Sequence, residues 1–133
     1  MKDALRLSTP TYIRLGKKGE PTVHTKEPYF EIGKGISVRE GKDIAILSVG
    51  NMLPVSVECA ERLGEQNISA RVISLHSVKP LNSELLYALF EQYPVLAVVE
   101  EHGQAGGAGS AILEWGNKNK VDLNKLLCFG GPD

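Results

Sequence analysis

Ile44-Ala45-Ile46-Leu47-Ser48-Val49, closed by Gly50, is the stretch that decides the fold. It is nearly continuously apolar, as a strand must be when both of its faces are covered. Downstream, Met52, Val55, Cys59 and Leu63 recur at helical spacing, with Pro54 tolerated in a first turn and Asn67 placed to stop the helix. The same alternation repeats twice. Residues 70–75 read as a strand, and Asn82 or Ser83 caps a helix carrying Leu86, Leu89, Phe90 and Tyr93. Val95-Leu96-Ala97-Val98-Val99 is the most buried-looking strand of the chain. A glycine-rich turn follows, then a helix with Ala108, Ala111, Ile112 and Trp115 on one stripe, and Leu126-Leu127-Cys128-Phe129 closes as a last strand. Strand–helix alternation needs crossovers, and right-handed crossovers give a parallel sheet covered by helices.

Working outward toward the start, Ile36-Ser37-Val38-Arg39 alternates and predicts a half-exposed strand. Glu40-Gly41-Lys42-Asp43 reads as a tight turn, so the strand after it is expected to run antiparallel. The fold class is therefore a three-layer α/β/α domain with a five-stranded, mostly parallel sheet and one antiparallel edge strand. Residues 10–41 differ in character, with turn formers and charges around short apolar pieces. Tyr12-Ile13-Arg14-Leu15 is expected to be part of a strand over residues 11–15, with a connector from Gly16 to Pro28. Such a strand needs a sheet, and so is expected to pair locally, to pair with another copy or to be disordered. Both ends read as cut, since the chain begins ahead of that unpartnered strand and stops at Gly131-Pro132-Asp133 just after another.

Bulk properties narrow the function classes. With 133 residues the chain suits one domain with a single core. A formal net charge of -1 offers no basic field for nucleic acid. No apolar run approaches the roughly 20 residues that span a bilayer. Met1-Lys2-Asp3-Ala4-Leu5-Arg6 lacks the apolar stretch of a secretory signal, and a cytoplasmic location is the expectation. Cys59 and Cys128 have no metal spacing and are expected as free thiols.

Few residues advertise chemistry. The run from Glu100 to Ser110, with Gly103, Gly106, Gly107 and Gly109, sits between a strand and a helix, where sites of open α/β sheets collect. It lacks the lysine of a phosphate loop and the spacing of a dinucleotide fingerprint, and tight helix–sheet packing is the preferred reading of its glycines. Glu100, Glu101 and His102 combine acids with an imidazole, but adjacent strand residues point to opposite faces, so the carboxylates are not expected to converge. His102 is read as structural; His76 and Lys79, which could share a crevice with it, are read as parts of a polar loop. His24 gives no signal. Arg14 with Lys17 and Lys18 is the one basic cluster; an arginine fork suits a phosphate dianion, but a solvated charged turn is the preferred reading of the cluster by itself. No metal-ligand or catalytic triad pattern is present.

The order of five phrases resembles the transketolase family. These are Pro10-Thr11-Tyr12-Ile13-Arg14-Leu15-Gly16, Gly41-Lys42-Asp43 leading into Leu47-Ser48-Val49-Gly50-Asn51-Met52, Leu75-His76-Ser77-Val78-Lys79-Pro80-Leu81, the Glu100–Ser110 run, and Gly130-Gly131-Pro132-Asp133. The resemblance implies that residues 1–28 are the tail of a preceding pyrimidine-binding domain with its connector, and that residues 29–133 are a C-terminal domain truncated at its end. It implies a homodimeric parent enzyme that moves a two-carbon ketol unit between sugar phosphates in the pentose phosphate pathway, using thiamine diphosphate and a divalent metal such as magnesium. No Gly-Asp-Gly stretch followed by asparagine is present to hold them, and the glutamate that activates the cofactor would precede residue 1. This portion alone is thus expected to bind no cofactor or metal, to contribute no catalytic residue and to be inactive, its partner being the rest of the enzyme. Arg14 falls where relatives set an arginine against the substrate phosphate. 1-Deoxy-D-xylulose-5-phosphate synthase and the beta subunit of a 2-oxoacid dehydrogenase share this domain type and stand as alternatives. A stand-alone interaction domain recruiting a partner through Ile13, and a small anion-binding module at the glycine-rich helix start, are the competing classes.

Overall fold

A computed structural model describes residues 3–16, 19 and 21–131. Five strands form one sheet: β1 (Ile36–Arg39), β2 (Ile44–Ser48), β3 (Ala70–Ser74), β4 (Leu96–Gly103) and β5 (Leu126–Gly131), in the order β1-β3-β2-β4-β5. Pairs β2–β3, β2–β4 and β4–β5 are parallel, and only β1–β3 is antiparallel. Helices α1 (Leu53–Glu65), α2 (Ser83–Gln92) and α3 (Ala108–Asn119) connect the parallel strands. The fold class expected from the sequence is the fold observed.

Strand alternation sorts the core into two halves. Ala45, Leu47, Ile73, Leu75, Leu96 and Val98 pack against Leu86, Leu89 and Phe90 of α2 and Ala108 and Ile112 of α3. Ile46, Ala70 and Val72 project to the other face, onto Leu53 and Ala60 of α1. A single helix therefore covers one side and two cover the other. Burying each of these larger side chains contributes about 1.5–3 kcal/mol.

Three sequence expectations need correction. First, β1 runs antiparallel to β2 but is not its neighbour, because β3 lies between them. The 40–43 turn is not a hairpin. Gly41 lies flat against the backbone of Ala70, where any Cβ would collide, and the N–H groups of Lys42 and Asp43 donate to the Ser69 carbonyl. Tyr93 Oη fixes the turn from below by donating to the Gly41 carbonyl at 2.7 Å.

Second, α1 buries Leu53, Ser56 and Ala60, whereas Val55 and Cys59 are exposed. The apolar spacing misleads because the buried stripe contains a serine. Ser56 Oγ donates to Ser48 Oγ at 2.9 Å, so the polar side chain is satisfied inside. Third, residues 11–15 form no strand; Tyr12 is 89% exposed and Leu15 68%. The remaining caps follow the sequence. Asn82 caps α2 through its side-chain oxygen, accepting from the Leu85 N–H at 3.2 Å, and Asn67 takes the left-handed conformation after α1, at φ 64°.

Candidate functional site

The strand order creates a crevice. From β2 the chain leaves through α1 on one face toward β3, and from β4 it leaves through α3 on the opposite face toward β5. Because β2 and β4 are neighbours, their exits diverge, and ligand sites of open α/β sheets form where exits diverge in this way. Gly50 makes the exit from β2. Its φ of 58° is the left-handed conformation that glycine adopts without strain, and open space surrounds it. Asn51 follows at the crevice rim. On the other side, the β4–β5 register is irregular between Val99 and Gly103.

Glu100 and Glu101 separate there as the strand period demands. Glu100 is 6% exposed, and its carboxylate accepts from the Ala108 N–H at 2.8 Å and the Gly109 N–H at 3.0 Å. The anion at the start of α3 is thus the chain's own side chain, favoured there by the free N–H groups and the helix dipole. Gly107 has no Cβ because one would run into this carboxylate, and a Cβ on Gly109 would lie 2.8 Å from Cys128 Sγ. The packing reading holds for Gly107 and Gly109, whereas Gly106 stands in open space at φ 75° and serves the turn; Glu100 occupies the first N–H groups of the helix, where an external anion would bind. Burial, and secondly the charge of Glu100, push the Cys128 thiol up from its ordinary pKa.

Glu101 faces outward. Its Oε2 accepts from Arg14 Nη2 at 2.9 Å and from Asn51 Nδ2 at 3.4 Å. The 10–16 segment, no strand, instead lays Arg14 across the β2–β4 crevice. Beside it, Pro21, Thr22, Val23 and His24 with Gly50, Asn51, Leu53 and Pro54 line an open hollow of about 240 Å³. His24, which gave no signal in the sequence, therefore borders the same region through Asn51.

The other candidates lie apart. His102 is exposed with no hydrogen-bond partner among the described residues. His76, after β3, packs on Phe30 with ring centroids 4.1 Å apart and shares a 3.1 Å hydrogen bond between Nδ1 and Ser77 Oγ. Its Nε2 is buried without a partner among the described residues, and desolvation lowers its pKa from the ordinary 6.5. Lys79 is exposed, and Lys17 and Lys18 lie outside the described residues. Both cysteines are free. Among the described residues no group of three His, Cys, Asp or Glu side chains could hold a metal ion. With the start of α3 closed by Glu100 as well, these residues do not fit a diphosphate–metal pair. The sequence missed Glu101 and Asn51 as partners of Arg14. The available signal was the Glu100–Glu101 alternation itself, with the inner residue committed to a helix start eight residues on.

This is an α/β domain in which Arg14, Asn51 and Glu101 meet at a strand-end crevice. A family model described as "Transketolase, C-terminal domain" matches residues 33–132, and the chain belongs to that family. It is 38% identical, over its whole length, to a 1-deoxy-D-xylulose-5-phosphate synthase of Caldanaerobacter subterraneus subsp. tengcongensis, of which it spans 21%. Over 78% of its length it is 46% identical to the synthase of the same name from Photobacterium profundum, spanning 16% of that protein. A solved structure, "Split gene transketolase, inactive beta4 tetramer", superposes with a TM-score of 0.89 at 34% identity, covering 99% of this chain and 44% of that one. The chain thus spans about a fifth of the curated relatives' length.

Proposed function

We propose that the chain serves as the C-terminal section of a thiamine-diphosphate-dependent enzyme that transfers a two-carbon unit onto a sugar phosphate, with Arg14 as a contact for the phosphate. The observation that carries this reading is Arg14 lying across the β2–β4 crevice, paired to Glu101. A guanidinium there offers a planar fork of donors to a dianion. Cofactor and metal belong to the preceding domains of the parent, and residues 1–28 are the end of the pyrimidine-binding domain with its connector. The section supports a cytoplasmic homodimer and is inactive alone; the inactive form of the split-gene relative favours that last point.

Two branches share this chemistry. The resemblance of the Arg14 phrase favours transketolase, with ketol transfer between two sugar phosphates. The names of the curated relatives favour 1-deoxy-D-xylulose-5-phosphate synthase, and at up to 46% identity they weigh more. The synthase branch is accordingly our first reading. The test is a coupled assay of the intact parent with thiamine diphosphate and magnesium. Turnover of pyruvate with glyceraldehyde 3-phosphate establishes the synthase, and turnover of xylulose 5-phosphate with ribose 5-phosphate establishes transketolase. Activity of the 133-residue chain alone would overturn the supporting role.

A further inference from the structure

Arg14 lies on a segment that no ladder holds. Residues 10–16 have no regular secondary structure and are exposed. An arginine on such a segment spreads its guanidinium over many rotamers, and ordering a rotamer-rich side chain on binding costs affinity. Glu101, by contrast, is anchored in β4. Its Oε2 receives both Arg14 Nη2 and Asn51 Nδ2. One carboxylate oxygen thereby ties together the N-terminal segment, the exit from β2 and the end of β4. The contact engages Arg14 at Nη2 alone, so the second N–H of that nitrogen and a neighbouring donor can still turn to a dianion.

We propose that Glu101, assisted by Asn51, is the positioning residue that holds Arg14 over the crevice, so that an incoming substrate phosphate meets an oriented guanidinium. This rests on Arg14 being the phosphate contact. Glu101 has a second, opposing effect, because its negative charge repels the dianion. Side-chain exposures of 48% for Arg14 and 46% for Glu101 let solvent and salt screen both effects, but the orienting contact acts through a direct 2.9 Å hydrogen bond while the repulsion acts on a dianion farther away, across the guanidinium. Orientation therefore wins, and the two effects differ in sign when Glu101 is removed.

The experiment uses the full-length parent enzyme carrying Glu101→Ala, Glu101→Gln, Arg14→Ala and the Arg14→Ala/Glu101→Ala pair. The acceptors are glyceraldehyde 3-phosphate and unphosphorylated glyceraldehyde, with inorganic phosphate as competitive inhibitor. Glu101→Ala should raise KM for the phosphorylated acceptor and Ki for phosphate roughly twofold to fivefold, the scale of an exposed ion pair, with kcat unchanged. Unphosphorylated glyceraldehyde should be unaffected. Glu101→Gln keeps an acceptor oxygen and should recover most of the loss, and Glu101→Ala should add nothing in the Arg14→Ala background. A fall in KM would make Glu101 a competitor, and equal loss for both acceptors would make it merely structural; either overturns the proposal. A raised KM in Arg14→Ala with no change in Glu101→Ala overturns positioning alone. No change in Arg14→Ala sinks the phosphate contact and positioning together.

Discussion

Replacing Glu100 with alanine should destabilise the domain far more than the same change at the adjacent Glu101. Glu100 accepts two backbone N–H groups at the start of α3, at 2.8 and 3.0 Å, from a buried position. Losing a helix N-cap costs about 1 kcal/mol, and each buried donor left unsatisfied costs about 1–3 kcal/mol. Some relief comes from water entering the space vacated beside Gly107, so Glu100→Ala should lose about 2–4 kcal/mol in all. For a chain of this size that lowers Tm by roughly 10 °C. Glu100→Gln keeps one acceptor but turns an amide donor toward the other N–H, and should lose about half as much. Glu101→Ala removes an ion pair nearly half exposed on both sides, worth at most about 1 kcal/mol. The assay is urea denaturation followed by circular dichroism, with thermal melts in parallel. If Glu100→Ala and Glu101→Ala lost the same stability, Glu100 would not be the cap of α3, and the account of the glycine-rich turn would fail with it.

Gly107→Ala, which drives a Cβ into the Glu100 carboxylate, should cost about 1–3 kcal/mol, measured by the same denaturation. His76 has a folded pKa below its ordinary 6.5, so the unfolded chain binds the extra proton first. The stability tied to its neutral form is complete above that value and is lost as pH falls below it toward the folded pKa. Urea midpoints at pH 8 and pH 5.5 should show this decline, and His76→Phe should flatten it. Cys59 is exposed while the Cys128 thiol is pushed up, so a thiol-reactive disulfide reagent at pH 8 should label Cys59 at least about tenfold faster. Equal rates would contradict the packing of Cys128 on Gly109. Tyr93→Phe deletes the bond to the Gly41 carbonyl and should lose about 0.5–1.5 kcal/mol without altering secondary structure by circular dichroism.

The sequence by itself determined the layers and their order. Continuous apolar runs such as Ile44-Ala45-Ile46-Leu47 can be satisfied only between two helix layers, and helices between such runs force parallel crossovers. Caps such as Asn82 and Asn67 were legible because they depend on local backbone geometry. The family, too, was legible in the order of short phrases, and the match over residues 33–132 agrees. What the tertiary structure alone decided depends on partners distant along the chain. Whether β1 joins β2 or β3 turns on how closely Gly41 approaches Ala70, which no local pattern encodes. The buried stripe of α1 includes Ser56 because Ser48 waits beneath it, and periodicity scores a serine as surface. Arg14 meets Glu101 across 87 residues only because two chain exits diverge at the β2–β4 boundary. Local chemistry fixes elements, since hydrogen bonds and side-chain period act within a few residues. A site is assembled by the sheet order, and that order is an outcome of the whole core.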